Sequence, residues 1–288
     1  MRLASFGVEG TARYGVVTDD GVVDLAARLA APDLKSALAE GRAAIEKHES
    51  AAPDWSLAEV TWLPTIPNPM HVIGLGLNTK SHFEETAELH NRTPGDYPTH
   101  PRLFTRSPLS LVGHLQAMAV PQVSRMLDYE GEIALVVGRE CRYASAADAL
   151  DFVAGVTCAN DGSVRDFQLH STQITAGKNF VASGALGPWM TTVDELGDLA
   201  ALTLQTRVNG ELRQSGDISD LIFTFAEAIA YISQIYALQA GDVILTGSPA
   251  GVGALTRSWL HAGDTVEVTV DGVGVLRNTV VDERAGAR

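Results

Sequence analysis

Strand-type alternation dominates the hydrophobic pattern of this chain, and its clearest instance runs from Asp128 to Gly138. Asp128, Glu130 and Glu132 occupy alternate positions, and the unbroken apolar run Ile133-Ala134-Leu135-Val136-Val137 follows. That order predicts a strand leaving a polar site and entering a core. Residues 1–25 divide into short strand-like pieces around Gly7, Gly10, Gly15 and Gly21, with Asp19-Asp20-Gly21 as a hairpin turn. Residues 33–49 have helical spacing, and Pro64, Pro67 and Pro69 then mark a linker. Two parts are expected, a small N-terminal domain over 1–69 and a main domain over 70–288.

In the main part, Val72–Gly76 reads as a strand broken by glycines, with a helix starting near Asn78 or Ser81. Residues 86–101, with Pro94, Gly95, Pro98 and Pro101, read as a loop able to act as a lid. A helix is predicted over Ala144–Phe152, then an apolar strand from Gly155 to Asn160 that ends in a helical turn. Asn209-Gly210 marks a hairpin over 202–214, and Ile222–Leu238 reads as an amphipathic helix. Val243–Thr246 is a strand entering the loop Gly247–Gly253, and residues 260–281 alternate as strands around Gly263-Asp264 and Asp271-Gly272.

Composition narrows the function classes. With 288 residues and 45% apolar content, the chain can bury one substantial core plus an appendage. A net charge of -14 without any Lys/Arg block argues against nucleic acid or an anionic membrane as partner. The two cysteines, Cys141 and Cys158, form no CxxC, which fits a reducing compartment. No signal-peptide core and no apolar run of the ~20 residues a membrane helix needs is present, so a soluble cytoplasmic protein is expected.

The candidate chemistry starts from the acids. Side chains two apart on a strand share a face roughly 6.5–7 Å apart, and carboxylates that close repel unless a cation or protons lie between them. Oxygen-only ligands suit Mg²⁺, Mn²⁺ or Ca²⁺; a solvated polar strand face is the alternative reading. On the predicted helix, His82 and Glu85 are three apart, so the carboxylate can orient the imidazole. Asp161, Arg165 and Gln168 fall on one side of the turn after the second strand, and Lys178 lies in a loop-rich connection. Gly74-Leu75-Gly76 is not a dinucleotide fingerprint, because Thr79 stands where the third glycine belongs. The loop after Thr246 is neither a phosphate loop nor a nucleophile elbow. It offers backbone N–H groups and the Thr246 hydroxyl to a carboxylate.

Taken together, ordered blocks over about residues 70–281 resemble the fumarylacetoacetate hydrolase family in its short-chain branch. They are Gly76-Leu77-Asn78 with His82 and Glu85, Asp128–Gly138, Asn160-Asp161 through Gln168, Lys178 with Gly187-Pro188-Trp189, Val208–Glu211, and Gly241-Asp242 with Thr246–Gly253. The resemblance implies an α+β, mainly β fold, a mixed β-sandwich roll behind a small N-terminal domain, assembled as a homodimer. It implies that Glu130, Glu132 and Asp161 bind one Mg²⁺ or Mn²⁺ per subunit, with Asp128 supporting the site. It makes His82, Glu85 and Lys178 catalytic, and has Arg165, Gln168 and Thr246 hold a small-molecule 2-oxo acid substrate.

The expected reaction is hydrolysis of a carbon–carbon bond in a 2,4-dioxo acid of acylpyruvate or fumarylpyruvate type through an enolate at the cation. Decarboxylation or isomerisation of a 2-oxo diacid is the alternative, and a non-catalytic metal-binding protein of this fold is the third reading. The chain departs from the family pattern at Thr79, Arg106, Val181 and Ala185, which bears on substrate choice more than on the metal.

Overall fold

The structure, a computed structural model, describes residues 1–87 and 92–285, so part of the lid expected over 86–101 lies outside the described residues. Its centre is an eleven-stranded sheet. From one edge the main path runs Val22–Asp24, Thr11–Val17, Arg2–Val8, Gly184–Thr192, Val153–Asn160, Gly131–Val137, Val243–Leu245, Val72–Gly76 and Arg102–Thr105. Neighbours along this path are antiparallel except Val243–Leu245 against Val72–Gly76. A five-stranded second sheet contains Glu211–Asp217, Thr203–Val208, Thr265–Val270, Gly274–Asp282 and Met118–Val120.

The predicted apolar run is the middle of the large sheet, and all seven residues of Gly131–Val137 are buried. Ile133, Leu135 and Val137 face a core shared with Leu204, Val266, Val268 and Leu276 of the second sheet. Ala134 and Val136 face a separate cluster with Leu34, Leu38 and Ile45 of the N-terminal helices. A strand covered on both faces needs apolar residues at every position, which accounts for the loss of alternation after Glu132.

The N-terminal strands belong to this same sheet. Arg2 and Leu3 pair with Thr191 and Met190, so the sheet continues across the linker expected before Met70. The N-terminal ammonium donates to Thr192 Oγ1 at 2.8 Å.

Three helices differ from expectation. The segment 33–49 is two short helices, Leu34–Glu40 and Arg42–Glu46, divided at Gly41 with φ 103°. Of the helix expected over Ala144–Phe152, only a 3₁₀ turn at Ala149–Phe152 forms. The amphipathic helix is confined to Phe225–Ile235, because Thr224 and Glu227 form a capping box at its start. Among the described residues no helix is long and apolar enough to cross a membrane.

Candidate metal centre and active site

Strand pairing brings the acids together. Gly131 pairs with Asn160, so the residues just beyond this pair, Glu130 and Asp161, lie side by side, and Asp161 N donates to Glu130 O at 2.7 Å. Glu130, Glu132 and Asp161 are all buried, and one oxygen from each can be chosen so that the three lie within 4.8 Å of one another. A second pairing, Ser163 with Asp128, sets Arg165 beside Asp128. Arg165 Nε then donates to Asp128 Oδ2 at 2.8 Å, its Nη1 to Gln168 Oε1 at 3.0 Å, and its Nη2 lies 2.5 Å from Glu130 Oε1. Lys178 ends the short helix Thr175–Lys178, and its Nζ bonds Glu130 Oε2 at 2.6 Å and Asp161 Oδ2.

Arg106, which sequence reasoning recorded only as a departure, closes the other side. Its Nη1 donates to Asp161 Oδ1 at 2.5 Å and Gly162 O at 2.9 Å, its Nε to Ser110 Oγ at 3.1 Å, and its Nη2 to Ser183 Oγ at 3.0 Å. The fork fits because Gly184 has no side chain, since a Cβ there would stand 2.7 Å from Arg106 Nη2. A basic residue directly after the strand Arg102–Thr105 was the available signal, but nothing local connected it with Asp161, 55 positions on.

The loop after Thr246 serves the carboxylates of the protein itself. Gly247 N donates to Glu132 Oε2 at 2.7 Å, Gly251 N to Glu85 Oε2 at 2.8 Å, and Gly253 N to Asp128 Oδ1 at 2.8 Å. Gly247 takes φ 107°, a conformation glycine adopts without strain. Thr246 Oγ1 donates to Ile133 O at 2.8 Å, its residue is 2% exposed, and it does not line the cavity described below. The geometry brings Ser248 of this loop to that cavity, and not the hydroxyl expected from the sequence.

His82 and Glu85 lie on the helix Lys80–Glu85, entered through Thr79, with Nδ1 of His82 2.6 Å from Glu85 Oε1. Asn78, just before it, bridges Thr246 O at 2.8 Å and Phe223 O at 3.1 Å and so pins the helix start to the loop. Because Glu85 engages Nδ1, the tautomer with the proton on Nδ1 is favoured, which leaves the Nε2 lone pair available as a base.

One cavity of ≈ 790 Å³ is lined by His82, Glu130, Glu132, Asp161, Arg165, Gln168 and Lys178, together with Phe104, Ser248 and Trp259. Of the predicted site residues, Glu85 stands behind His82, and Thr246, just past the strand Val243–Leu245, turns its hydroxyl to Ile133 O. The Lys178 ammonium lies 4.8 Å from the Phe104 ring centroid.

The electrostatics are unequal across the acids. With every group ionised, the four buried carboxylates at Asp128, Glu130, Glu132 and Asp161 exceed the three cations of Arg106, Arg165 and Lys178 by one negative charge. Against burial, the charges of Arg165 and Lys178 hold the Glu130 carboxyl well below its ordinary range. Burial, then the charges of Asp161 and Glu130, push the Glu132 carboxyl well above its own. Glu132 is the acid that lacks an ion-pair partner among the described residues. Buried, oxygen-only and short of one positive charge, the triad fits a hard divalent cation such as Mg²⁺ or Mn²⁺.

A sequence profile described as fumarylacetoacetate (FAA) hydrolase C-terminal matches residues 71–281. The oxaloacetate tautomerase YisK of Bacillus subtilis is 38% identical over 230 residues, 78% of this chain and 75% of that protein. The crystal structure of maleylpyruvate hydrolase from Sphingobium sp. SYK-6, in complex with manganese (II) ion and pyruvate, superposes with TM-score 0.80 at 29% identity, covering 98% of this chain and 99% of that one. The 5-carboxymethyl-2-hydroxymuconate delta-isomerase of Mycobacterium smegmatis superposes with TM-score 0.78 at 30% identity, with the same coverage of 98% and 99%. The mainly β, mixed-sheet fold expected from the sequence is the fold of these structures. With its profile match, its relatives and its acidic triad in agreement, the chain belongs to the fumarylacetoacetate hydrolase family.

Proposed function

We propose that this chain is a divalent-metal-dependent enzyme that moves a proton at the carbon next to the oxo group of a 2-oxo diacid, interconverting keto and enol forms. The observation that carries the reading is that the His82–Glu85 dyad and the carboxylate triad serve one cavity. Held by Glu130, Glu132 and Asp161, Mg²⁺ or Mn²⁺ would supply Lewis-acid polarisation of the oxo group and the adjacent carboxylate.

His82 Nε2 takes the proton from the carbon, and Glu85 stabilises the resulting imidazolium through Nδ1. The same imidazolium returns the proton to carbon or to oxygen. Gly251 N fixes Glu85 for this work, so the dyad meets its substrate already oriented. Lys178 places a positive charge beside the oxygen on which negative charge grows. Arg165 holds Glu130 and Asp128, and because Gln168 Oε1 accepts from Arg165, the Gln168 amide nitrogen is left to donate to a substrate carboxylate.

Tautomerisation stands ahead of the hydrolysis expected from the sequence because YisK, at 38% identity, is an oxaloacetate tautomerase. Hydrolysis of a carbon–carbon bond is the second reading: the same dyad can deprotonate water, and maleylpyruvate hydrolase shares the fold over 98% of this chain. The test is the Mg²⁺- or Mn²⁺-loaded protein in D₂O with oxaloacetate and, separately, acylpyruvates. Accelerated decay of the enol absorbance with deuterium entering C3 supports tautomerisation, and release of a free carboxylic acid from the acylpyruvate supports hydrolysis. If neither occurs with metal bound, both readings fall.

A further inference from the structure

The cavity of ≈ 790 Å³ is of the size that holds drug-sized ligands, roughly 300–1,000 Å³, and is larger than a four-carbon acid requires. Three cations on its wall, Arg92, Arg102 and Arg257, take no part in the carboxylate cluster, and the first two are the pair that act on each other by charge. Arg102 opens the strand Arg102–Thr105, and Arg92 lies before it in the chain. Among the described residues no carboxylate is within ion-pair distance of either guanidinium. Their polar contacts are neutral and long, Arg102 Nη2 to Thr172 O at 3.3 Å and Arg92 Nη1 to Thr86 Oγ1 at 3.4 Å. The two groups feel each other: burial first, and then the charge of Arg102, depress the pKa of Arg92. A pair of like charges at a cavity wall is relieved by an anion.

Their position sets the length of that anion's carrier. Arg102 and Phe104 are two apart on one strand and both line the cavity, so they share a face roughly 7 Å apart. Phe104 is buried under Lys178, and Arg102 is exposed, so the arginine stands one strand repeat farther from the acids. The Arg102 stem and Ile174 both approach Gly76, so this part of the wall is apolar. We infer that Arg92 and Arg102 form a second anion subsite, which takes the terminal carboxylate of a 2-oxo diacid longer than oxaloacetate. The inference rests on the 2-oxo acid reading above.

The experiment measures binding to the full chain loaded with Mn²⁺, by calorimetry or by quenching of tryptophan fluorescence, since Trp259 lines the cavity. The probes are 2-oxoadipate and 2-oxohexanoate, equal in chain length and differing in the terminal carboxylate. The diacid is expected to bind about tenfold to a hundredfold more tightly, as charge-assisted hydrogen bonds allow. Arg92→Gln and Arg102→Gln should each reduce that ratio, the double variant should bring it close to one, and Arg102→Lys should retain part of it. Equal affinity for both acids in the unaltered protein, or an unchanged ratio in the double variant, overturns the subsite while leaving the 2-oxo acid reading intact. Failure of both acids to bind removes that reading and the subsite with it.

Discussion

Arg106 Nη1 stands 2.5 Å from Asp161 Oδ1, and both side chains are wholly shielded from water. Four further hydrogen bonds, to Gly162 O, Ser110 Oγ, Ser110 O and Ser183 Oγ, fix the guanidinium, so it fixes Asp161 in turn and leaves Oδ2 turned toward Lys178. A planar fork with five donors can do this where a single ammonium cannot reach every partner.

Removing one partner of a buried ion pair strands the other. Arg106→Met is therefore expected to destabilise the metal-free protein by about 3–5 kcal/mol. Arg106→Lys, which keeps the charge but cannot reach every partner, should restore only part of that. Mn²⁺ should recover part of the loss in the Met variant by neutralising Asp161. Urea unfolding with and without Mn²⁺ measures all three, and a loss that Mn²⁺ does not touch would show that Arg106 does not act through Asp161.

Glu132 carries a pH signature. Its folded-state pKa is raised above the usual 4.5, so its contribution to the stability of the metal-free protein is complete below that value and is lost as pH rises through the raised one. Metal-free protein should thus weaken as the pH rises above 4.5 toward neutrality, and Glu132→Gln should flatten this trend and be the more stable form at pH 7. Saturating Mn²⁺ should reverse the order, since a ligand at about 100 times its Kd adds about 2.7 kcal/mol to the form that binds it. Melting curves at several pH values, in EDTA and in Mn²⁺, provide the check.

Lys178 bonds Glu130 Oε2 and Asp161 Oδ2, on two of the three carboxylates that would hold the cation. Lys178→Met removes a competing positive charge, so Mn²⁺ should bind several times more tightly while turnover falls steeply. Calorimetric titration alongside a rate assay separates the two effects. Weaker Mn²⁺ binding in the variant would mean that the lysine orients the ligands and does not compete for them.

His82→Asn should lower turnover by about 10²–10⁴-fold, the usual contribution of a positioned base, with Mn²⁺ affinity unchanged. Glu85→Gln should cost less, because the imidazole keeps a hydrogen-bond partner and loses only the charge that stabilises its protonated form. Deuterium exchange at C3 of a bound 2-oxo acid reports on the base directly, and normal exchange in His82→Asn would assign the proton to another group.

Much of the site was legible from neighbouring residues. His82 and Glu85 are three apart on a short helix and meet there, at 2.6 Å, as the spacing requires. Glu130 and Glu132 alternate into the apolar run that becomes the central strand. Asp161 was legible as part of the turn after the second strand, its role as a metal ligand came only through the family resemblance, and the pairing of Gly131 with Asn160 explains its arrival beside Glu130. Thr246 misled because the local pattern shows a hydroxyl beside a glycine loop, whereas Ile133, 113 positions away, takes that hydroxyl.

By itself the sequence determined the period of each element, the buried character of the central strand, the acids at its mouth and the dyad on the helix. These follow from residues within a turn or a pleat of one another. Tertiary structure alone decided which carboxylates share a space, that Arg106 braces Asp161, that the amides of the Gly247–Gly253 loop face Glu132, Glu85 and Asp128, and that Arg92 and Arg102 line one wall. Such contacts join residues tens of positions apart, and they exist only once strand register is set by all the cross-strand pairs acting together.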